Sequence, residues 1–321
     1  MPTNQILASS DSRMRLWVKV ARMYHEENLG QPAIAERLNL SQSQISRLLR
    51  EAQDNGVIRT IVATPAGLYS ELEESLRRRL DLLDVVVADA SGDDVFAATS
   101  AVGTAAAAYL EHTLGRHERL GVSSRSSALQ ATVDAMSPMK DGTVETVVQS
   151  LGAVGDAAMR AQASQLTGSF ARLTGARPIY LATPGVVTSR EVRDGLLADV
   201  HIAKAAAAWN SLTTLVTGIG TMTAPRQNGG SAITDADSER LESSGAIGDV
   251  CLNFFDEAGT AVPDELSQRT IGIPANVLRA VPRRVAVAGG PQKTGAIAAA
   301  CLGGWVNVLV TDQFTAERLC G

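Results

Sequence analysis

Two sets of residues in this 321-residue chain carry hydrogen-bonding groups at spacings that could do chemistry. The first is Gln42, Ser43, Gln44, Ser46, Arg47 and Arg50, interleaved with apolar Ile45, Leu48, Leu49 and Ala52 at three- and four-residue steps. On a helix this interleaving leaves the polar members on the outer faces. Gln and Arg can make paired hydrogen bonds to adenine or guanine edges, and Ser and Arg can reach phosphate oxygens, so the chemistry is that of reading a DNA groove. The second set lies in loops that follow apolar runs. Gly121-Val122-Ser123-Ser124-Arg125-Ser126-Ser127 places hydroxyls, amides and a guanidinium at a helix start, which is the make-up of a phosphate cradle. Val287-Ala288-Gly289-Gly290-Pro291-Gln292-Lys293 adds two glycines that let the backbone approach a ligand and a lysine that supplies a point charge. It is not a P-loop, because the spacing GxxxxGK[ST] is missing. The same residues also fit a Ser-rich helix cap and a solvent-exposed lysine. Thr183-Pro184-Gly185, Gly218-Ile219-Gly220 and Gly248-Asp249 follow apolar runs too, and each alone is an ordinary turn or cap.

The elements that must position the first set read as a helix-turn-helix. A short helix over 32–38 carries Ala35 and Leu38 on one side, Asn39-Leu40 interrupts it, and Ser41 is a good N-cap for a second helix. Upstream, Leu16, Val20, Met23 and Tyr24 recur at helical spacing over 14–29 and supply a supporting helix. Downstream, Gly56 stops the second helix and Val57-Ile58-Arg59-Thr60-Ile61-Val62 reads as the strand of a wing. The competing reading is a two-helix corner whose polar face merely meets water. After the joint Thr64-Pro65-Ala66-Gly67, a helix over 68–82 carries Leu72, Leu76 and Leu80, the pattern of a linker, an oligomer contact or plain core packing.

The second set needs a different scaffold. From Asp84 onward short apolar runs at 85–87, 118–122, 144–151, 178–181, 212–217, 284–288 and 306–310 alternate with Ala-rich helical stretches such as 95–114 and 294–302. Strand and helix in alternation predict an α/β domain with a Rossmann-like, mainly parallel sheet covered on both faces. Ligands of such sheets bind at the carboxyl ends of the strands. The expected division is a winged helix-turn-helix over 1–63, a linker helix over 64–83 and an effector-binding and oligomerisation domain over 84–321.

Charge separates the same regions. Residues 1–63 hold eight Lys or Arg against six Asp or Glu, whereas the remainder holds 21 against 28. Only the N-terminal end suits phosphate, and its excess is small enough that useful DNA affinity calls for two or more copies joined in an oligomer. Cys251, Cys301 and Cys320 lie far apart, and His25, His112, His117 and His201 are equally scattered, so neither a metal site nor a Ser-His-Asp triad is expected. No apolar run is long enough to span a bilayer and the N-terminus lacks a signal pattern, which predicts a cytoplasmic protein.

Beyond these patterns, VARMYHEENLGQPAIAERLNLSQSQISRLLREAQDNGVI resembles the helix-turn-helix of SorC-type bacterial transcriptional regulators. The resemblance continues through VVQSLGAVGD, YLATPGVVTSREVRDGLLAD, VTGIGT, GAIGDVCLNFFDEAG and VAVAGGPQKTGAIAAACLGGWVNVLVTDQFTAERL. It implies a regulator of carbohydrate or polyol catabolism whose large domain resembles sugar-phosphate isomerases and CoA transferases in fold. It further implies double-stranded operator DNA and a phosphorylated sugar or polyol as partners, a homotetramer, and no cofactor. Carried onto this chain, the DNA-reading residues are Ser41, Gln42, Ser43, Gln44, Ser46, Arg47 and Arg50. The effector pocket is Ser123, Ser124, Arg125, Ser126, Gln149, Gly152, Asp249, Asp256, Gly289, Gly290 and Lys293, with Gln149 and Asp249 on sugar hydroxyls and Ser123, Ser126 and Lys293 on the phosphate. Where the family has a Gly-Arg-Thr-like loop this chain has Ser124-Arg125-Ser126, so the effector itself stays open. The alternative is a sugar-phosphate isomerase or CoA transferase-like enzyme with an accessory DNA-binding domain. Asp249 and Asp256 are its candidate carboxylates.

Overall fold

The chain divides into two units, Met1–Thr64 and Pro65–Gly321, and among the described residues the first holds three helices, α1 (Thr3–His25), α2 (Gln31–Leu38) and α3 (Gln42–Asp54). The computed structural model describes residues 3–58, 68–124, 126–139, 144–155, 157–222 and 233–321. Pro32 opens α2, where its missing N–H costs nothing, and Asn39 closes it in the left-handed region at φ 52°, a conformation that Asn tolerates. Ser41 then starts α3 with a capping box: its hydroxyl accepts from the Gln44 amide at 3.3 Å and its own amide donates to Gln44 Oε1 at 2.8 Å. Val20 and Met23 of α1, Ile34 and Ala35 of α2, and Ile45 and Leu48 of α3 close over one small core. The amides of Val57 and Ile58 both donate to the Ala52 carbonyl and end α3. The rest of the expected wing strand, residues 59–62, lies outside the described residues.

The larger unit begins with α4 (Ser70–Arg79). It continues as β1 (Asp84–Ala88), α5 (Val95–Thr113), β2 (Glu118–Val122), α6 (Ser127–Ala135), β3 (Val144–Gln149), α7 (Ala157–Thr174) and β4 (Arg177–Ile179). Then come α8 (Arg190–Ala198), α9 (Val200–Ala207), β5 (Thr214–Thr217), β6 (Gly220–Thr221), α10 (Asp235–Ser243), β7 (Gly248–Val250) and β8 (Asn253–Phe255). The chain closes with α11 (Ala275–Ala280), β9 (Arg283–Val287), α12 (Thr294–Leu302), β10 (Val308–Asp312) and α13 (Gln313–Cys320).

Among the described residues seven strands make one sheet in the order β1-β10-β9-β5-β2-β3-β4, with every neighbouring pair parallel. These are the seven apolar runs read from the sequence, and β5 and β10 are buried along their whole length, as a sheet covered on both faces requires. A core of Leu, Val, Ile and Ala side chains lies on each face. On one face α5 and α6 come together at Gly103, where a Cβ would sit 2.5 Å from that of Ala131. The helix expected as a linker belongs to this unit: Leu76 and Leu80 are buried in the same core as Val85, Val87 and Leu319. From α4 the Glu73 carboxylate accepts from the Val87 amide at 2.9 Å, which occupies a donor on the sheet's outer edge. A second, three-stranded antiparallel sheet, β6-β7-β8, stands over a smaller cluster that includes Leu241, Leu252 and Phe254.

Candidate functional site

Going outward from β2 the chain places β3 and β4 on one side; it then returns to the other side of β2 with β5, followed by β9 and β10. The boundary between β2 and β5 is therefore the topological switch point, where the loops leaving the two strands diverge and open a crevice at the carboxyl ends. A cavity of about 350 Å³ occupies that place, lined by Ser123, Ser126 and Ser127 after β2, by Gly218, Ile219, Gly220 and Thr221 after β5, and by Leu151, Asp249, Cys251, Leu252 and Lys293.

Each wall has a local cause. Ser126 is the N-cap of α6 and accepts from the Leu129 amide at 3.2 Å, so the start of that helix stands at the cavity wall with Ser126 and Ser127. The Gly218-Ile219-Gly220 segment passes between Ser126 and Asp249: a Cβ on Gly218 would press on the Ser126 hydroxyl, and one on Gly220 would collide with the Asp249 carboxylate. These two glycines are what lets both polar groups reach the same cleft. Lys293 is half-buried, and its ammonium donates to the Ile219 carbonyl at 3.0 Å. Burial pushes it below the ordinary lysine value, and the charge of Asp249 opposes that shift. Asp249 Oδ2 accepts from the Leu252 amide at 2.8 Å. The Cys251 thiol, beside Thr217 at 3.8 Å, is pushed up to about 12 by burial and stays a neutral thiol at physiological pH. Hydroxyls and a helix start at one wall, and a carboxylate with a lysine at the other, can hold a ligand that carries an anion and several hydroxyls.

Of the residues expected in the pocket, Ser123, Ser126, Asp249 and Lys293 meet in this cavity. Arg125 lies outside the described residues. The others do different work. Gln149 is fully buried; its amide donates to the Leu151 carbonyl at 2.8 Å and accepts from the Leu181 amide at 3.3 Å, so it clamps two chain segments instead of facing a sugar. Ser124 is buried with its hydroxyl 3.4 Å from the Gly152 carbonyl, and Gly152 is where residues 151–153 cross Pro184 and Gly185 too closely for a side chain. Asp256 caps the next turn by accepting from Ala258 and Thr260 amides at 3.0 and 2.8 Å. Gly289 and Gly290 lie against the buried Asp312, whose carboxylate accepts from the Gly290 amide at 3.0 Å; they shape the loop before Lys293 but do not line the cavity. Cys251, Leu252 and Thr221 do line it without having been expected, because a side chain brought in by short antiparallel strands leaves no periodic signal.

In the smaller unit Gln42, Ser43, Ser46, Arg47 and Arg50 are exposed on one helix, as a groove-reading face requires. Ser41 and Gln44, expected among the reading residues, are exposed but engaged with each other in the capping box. Glu51 organises the base of this face, accepting from Arg13 at 2.7 Å and the Trp17 indole at 2.9 Å with Arg47 3.9 Å away. Hydrogen bonds from Arg13 and then Trp17 hold its carboxyl below the ordinary glutamate value. Among the described residues no cluster of His, Cys, Asp or Glu could hold a metal ion, and no helix is long and apolar enough to cross a membrane.

Residues 65–320 match the family of sugar-binding domains. Over most of its length the chain is similar to the deoxyribonucleoside regulator of Bacillus subtilis, at 28% identity over 307 residues covering 96% of this chain and 97% of the relative. It is likewise similar to the sorbitol operon regulator of Klebsiella pneumoniae, at 27% identity over 310 residues covering 95% and 98%. Among solved structures, the sugar-binding domain of the transcriptional regulator DeoR from Pseudomonas syringae pv. tomato is 31% identical with a TM-score of 0.64, covering 79% of this chain and 99% of that domain. The full-length sorbitol operon regulator SorC of Klebsiella pneumoniae shares the fold, with a TM-score of 0.71 at 24% identity over 96% of this chain and 99% of that one.

Proposed function

The chain belongs to the SorC-type family of sugar-binding bacterial transcriptional regulators, and from that premise we propose that it is a DNA-binding regulator of carbohydrate or polyol catabolism switched by a phosphorylated sugar or polyol in the cavity at the β2–β5 switch point. The observation that carries this reading is the meeting of Ser123 and Ser126 from the loop after β2, Asp249 from β7 and Lys293 from the turn after β9, in one cavity at the carboxyl ends of the strands. The phosphate rests on the first amides of α6 with Ser123 and Ser126, where the helix dipole favours an anion. Asp249 accepts from sugar hydroxyls, and Lys293 donates to the ligand's oxygens. The recognition helix is α3, with Gln42, Ser43, Ser46, Arg47 and Arg50 facing the major groove.

The assembly is a homotetramer, so recognition helices act in pairs and their affinity depends on half-site spacing. The effector binds one arrangement of the larger units better than another and thereby shifts that spacing. The protein is not an enzyme in this reading: the cavity's cysteine is a neutral thiol, and its lysine and carboxylate serve binding. Incubation with a panel of pentose and hexose phosphates tests this. Saturable binding without conversion is expected, and turnover of any member sinks the regulator-only reading.

A further inference from the structure

The two-residue turn that joins β7 to β8 is made of Cys251 and Leu252, both in the left-handed region at φ 54° and 60°. Positive φ at both central positions is the geometry of a type I′ hairpin, which Asn-Gly or Gly-Gly adopt freely and which a Cys or a Leu adopts only against the clash of its Cβ. Such a turn persists where its surroundings over-determine it. Here the Leu252 amide donates to Asp249 Oδ2 at 2.8 Å, and the Asn253 side chain donates to the Val250 and Ile273 carbonyls at 3.0 and 3.2 Å. The two side chains are also buried in different places: Cys251 in the core shared with the main sheet, Leu252 in the small cluster with Leu241 of α10 and Phe254 of β8. Both residues line the cavity.

We propose that the Cys251–Leu252 turn is the element that reports occupancy of the cavity to the rest of the larger unit. Asp249 is the joint: its carboxylate faces the cavity and also holds the Leu252 amide. A ligand hydroxyl that hydrogen-bonds this carboxylate competes with that amide, and a turn kept against its own backbone preference responds when its hold weakens. Because Leu252 is buried with α10 and β8, a change in the turn reaches both. The proposal rests on the effector reading above.

The test compares Cys251→Ala, which removes the thiol and keeps the left-handed penalty, with Cys251→Gly, which removes the thiol and the penalty together. The full-length protein is probed with ribose 5-phosphate and glucose 6-phosphate by thermal shift and by hydrogen exchange across residues 241–255. In wild type and Cys251→Ala, the probe that raises the melting temperature is expected to change exchange in this segment. In Cys251→Gly, compared at probe concentrations that give the same thermal shift as in wild type, the exchange change is lost. Cys251→Asn, whose side chain tolerates the left-handed region, gives the same answer if glycine loosens the fold. Equal exchange changes in the Ala, Gly and Asn variants overturn the proposal. If neither these two probes nor any other pentose, hexose or polyol phosphate shifts wild type, the effector reading itself fails and the turn proposal falls with it.

Discussion

Lys293 is held between two opposing influences, burial that lowers its pKa and the charge of Asp249 that raises it, with burial prevailing. In the proposed function the protonated amine is the form that binds ligand oxygens. Effector affinity should therefore fall as pH rises through the lowered folded value, below the usual lysine range of about 10.4. The unfolded chain keeps this proton to higher pH, so Lys293 disfavours folding below its lowered value and the penalty fades as pH rises through it. Titration calorimetry with ribose 5-phosphate across that range should show the decline in wild type and a flat profile in Lys293→Met; a flat wild-type profile counts against the ammonium as a ligand group. In the smaller unit Arg47 is exposed, with Glu51 3.9 Å away at its base. Replacing it with Ala should weaken binding to DNA from the protein's own promoter region by about 1–3 kcal/mol, measured by fluorescence anisotropy at fixed salt. An unchanged affinity removes Arg47 from the reading face.

At the level of elements, α10 is docked through a buried ion pair, Asp237 with Arg269 at 2.7 Å, and Arg269 also donates to the Val187 carbonyl at 3.0 Å. Burial alone would raise Asp237, yet hydrogen bonds from Thr234 and Arg269 outweigh it and the carboxyl sits below its ordinary value. Its contribution to stability is accordingly present above the unfolded value of about 3.9 and is lost as pH falls through the lowered folded one. Arg269→Ala leaves a nearly buried carboxylate with Arg240 3.6 Å away, and should cost the larger unit about 3 kcal/mol, read as a lower urea midpoint. An unchanged midpoint means the pair is incidental. The long elements were legible because their burial is periodic: the seven apolar runs became the parallel sheet, and Ile45, Leu48 and Ala52 became the inner face of α3. The antiparallel sheet was not, since β6, β7 and β8 have only two or three residues each and their turn carries Cys-Leu in place of Asn-Gly. The same limit applied to the site. Loops after strands pointed to Ser123, Ser126, Asp249 and Lys293, whereas Gln149 and Asp256 are polar groups consumed by backbone they could not be seen to approach in sequence.

For the whole molecule, the proposed function calls for joint action of several copies, because the positive excess of the N-terminal unit is small. Light scattering of the purified protein should give the mass of four chains, and a monomer at micromolar concentration contradicts paired reading. In the proposed function the acidic larger unit assembles the copies and senses the effector. The measurement closest to the central claim is thermal shift of wild type, Asp249→Ala and Lys293→Met against a panel of pentose, hexose and polyol phosphates. At least one compound should raise the wild-type melting temperature at concentrations where neither variant responds, with all three proteins folded in its absence. A shift that persists undiminished in both variants would place the effector elsewhere and contradict the assignment of the β2–β5 cavity.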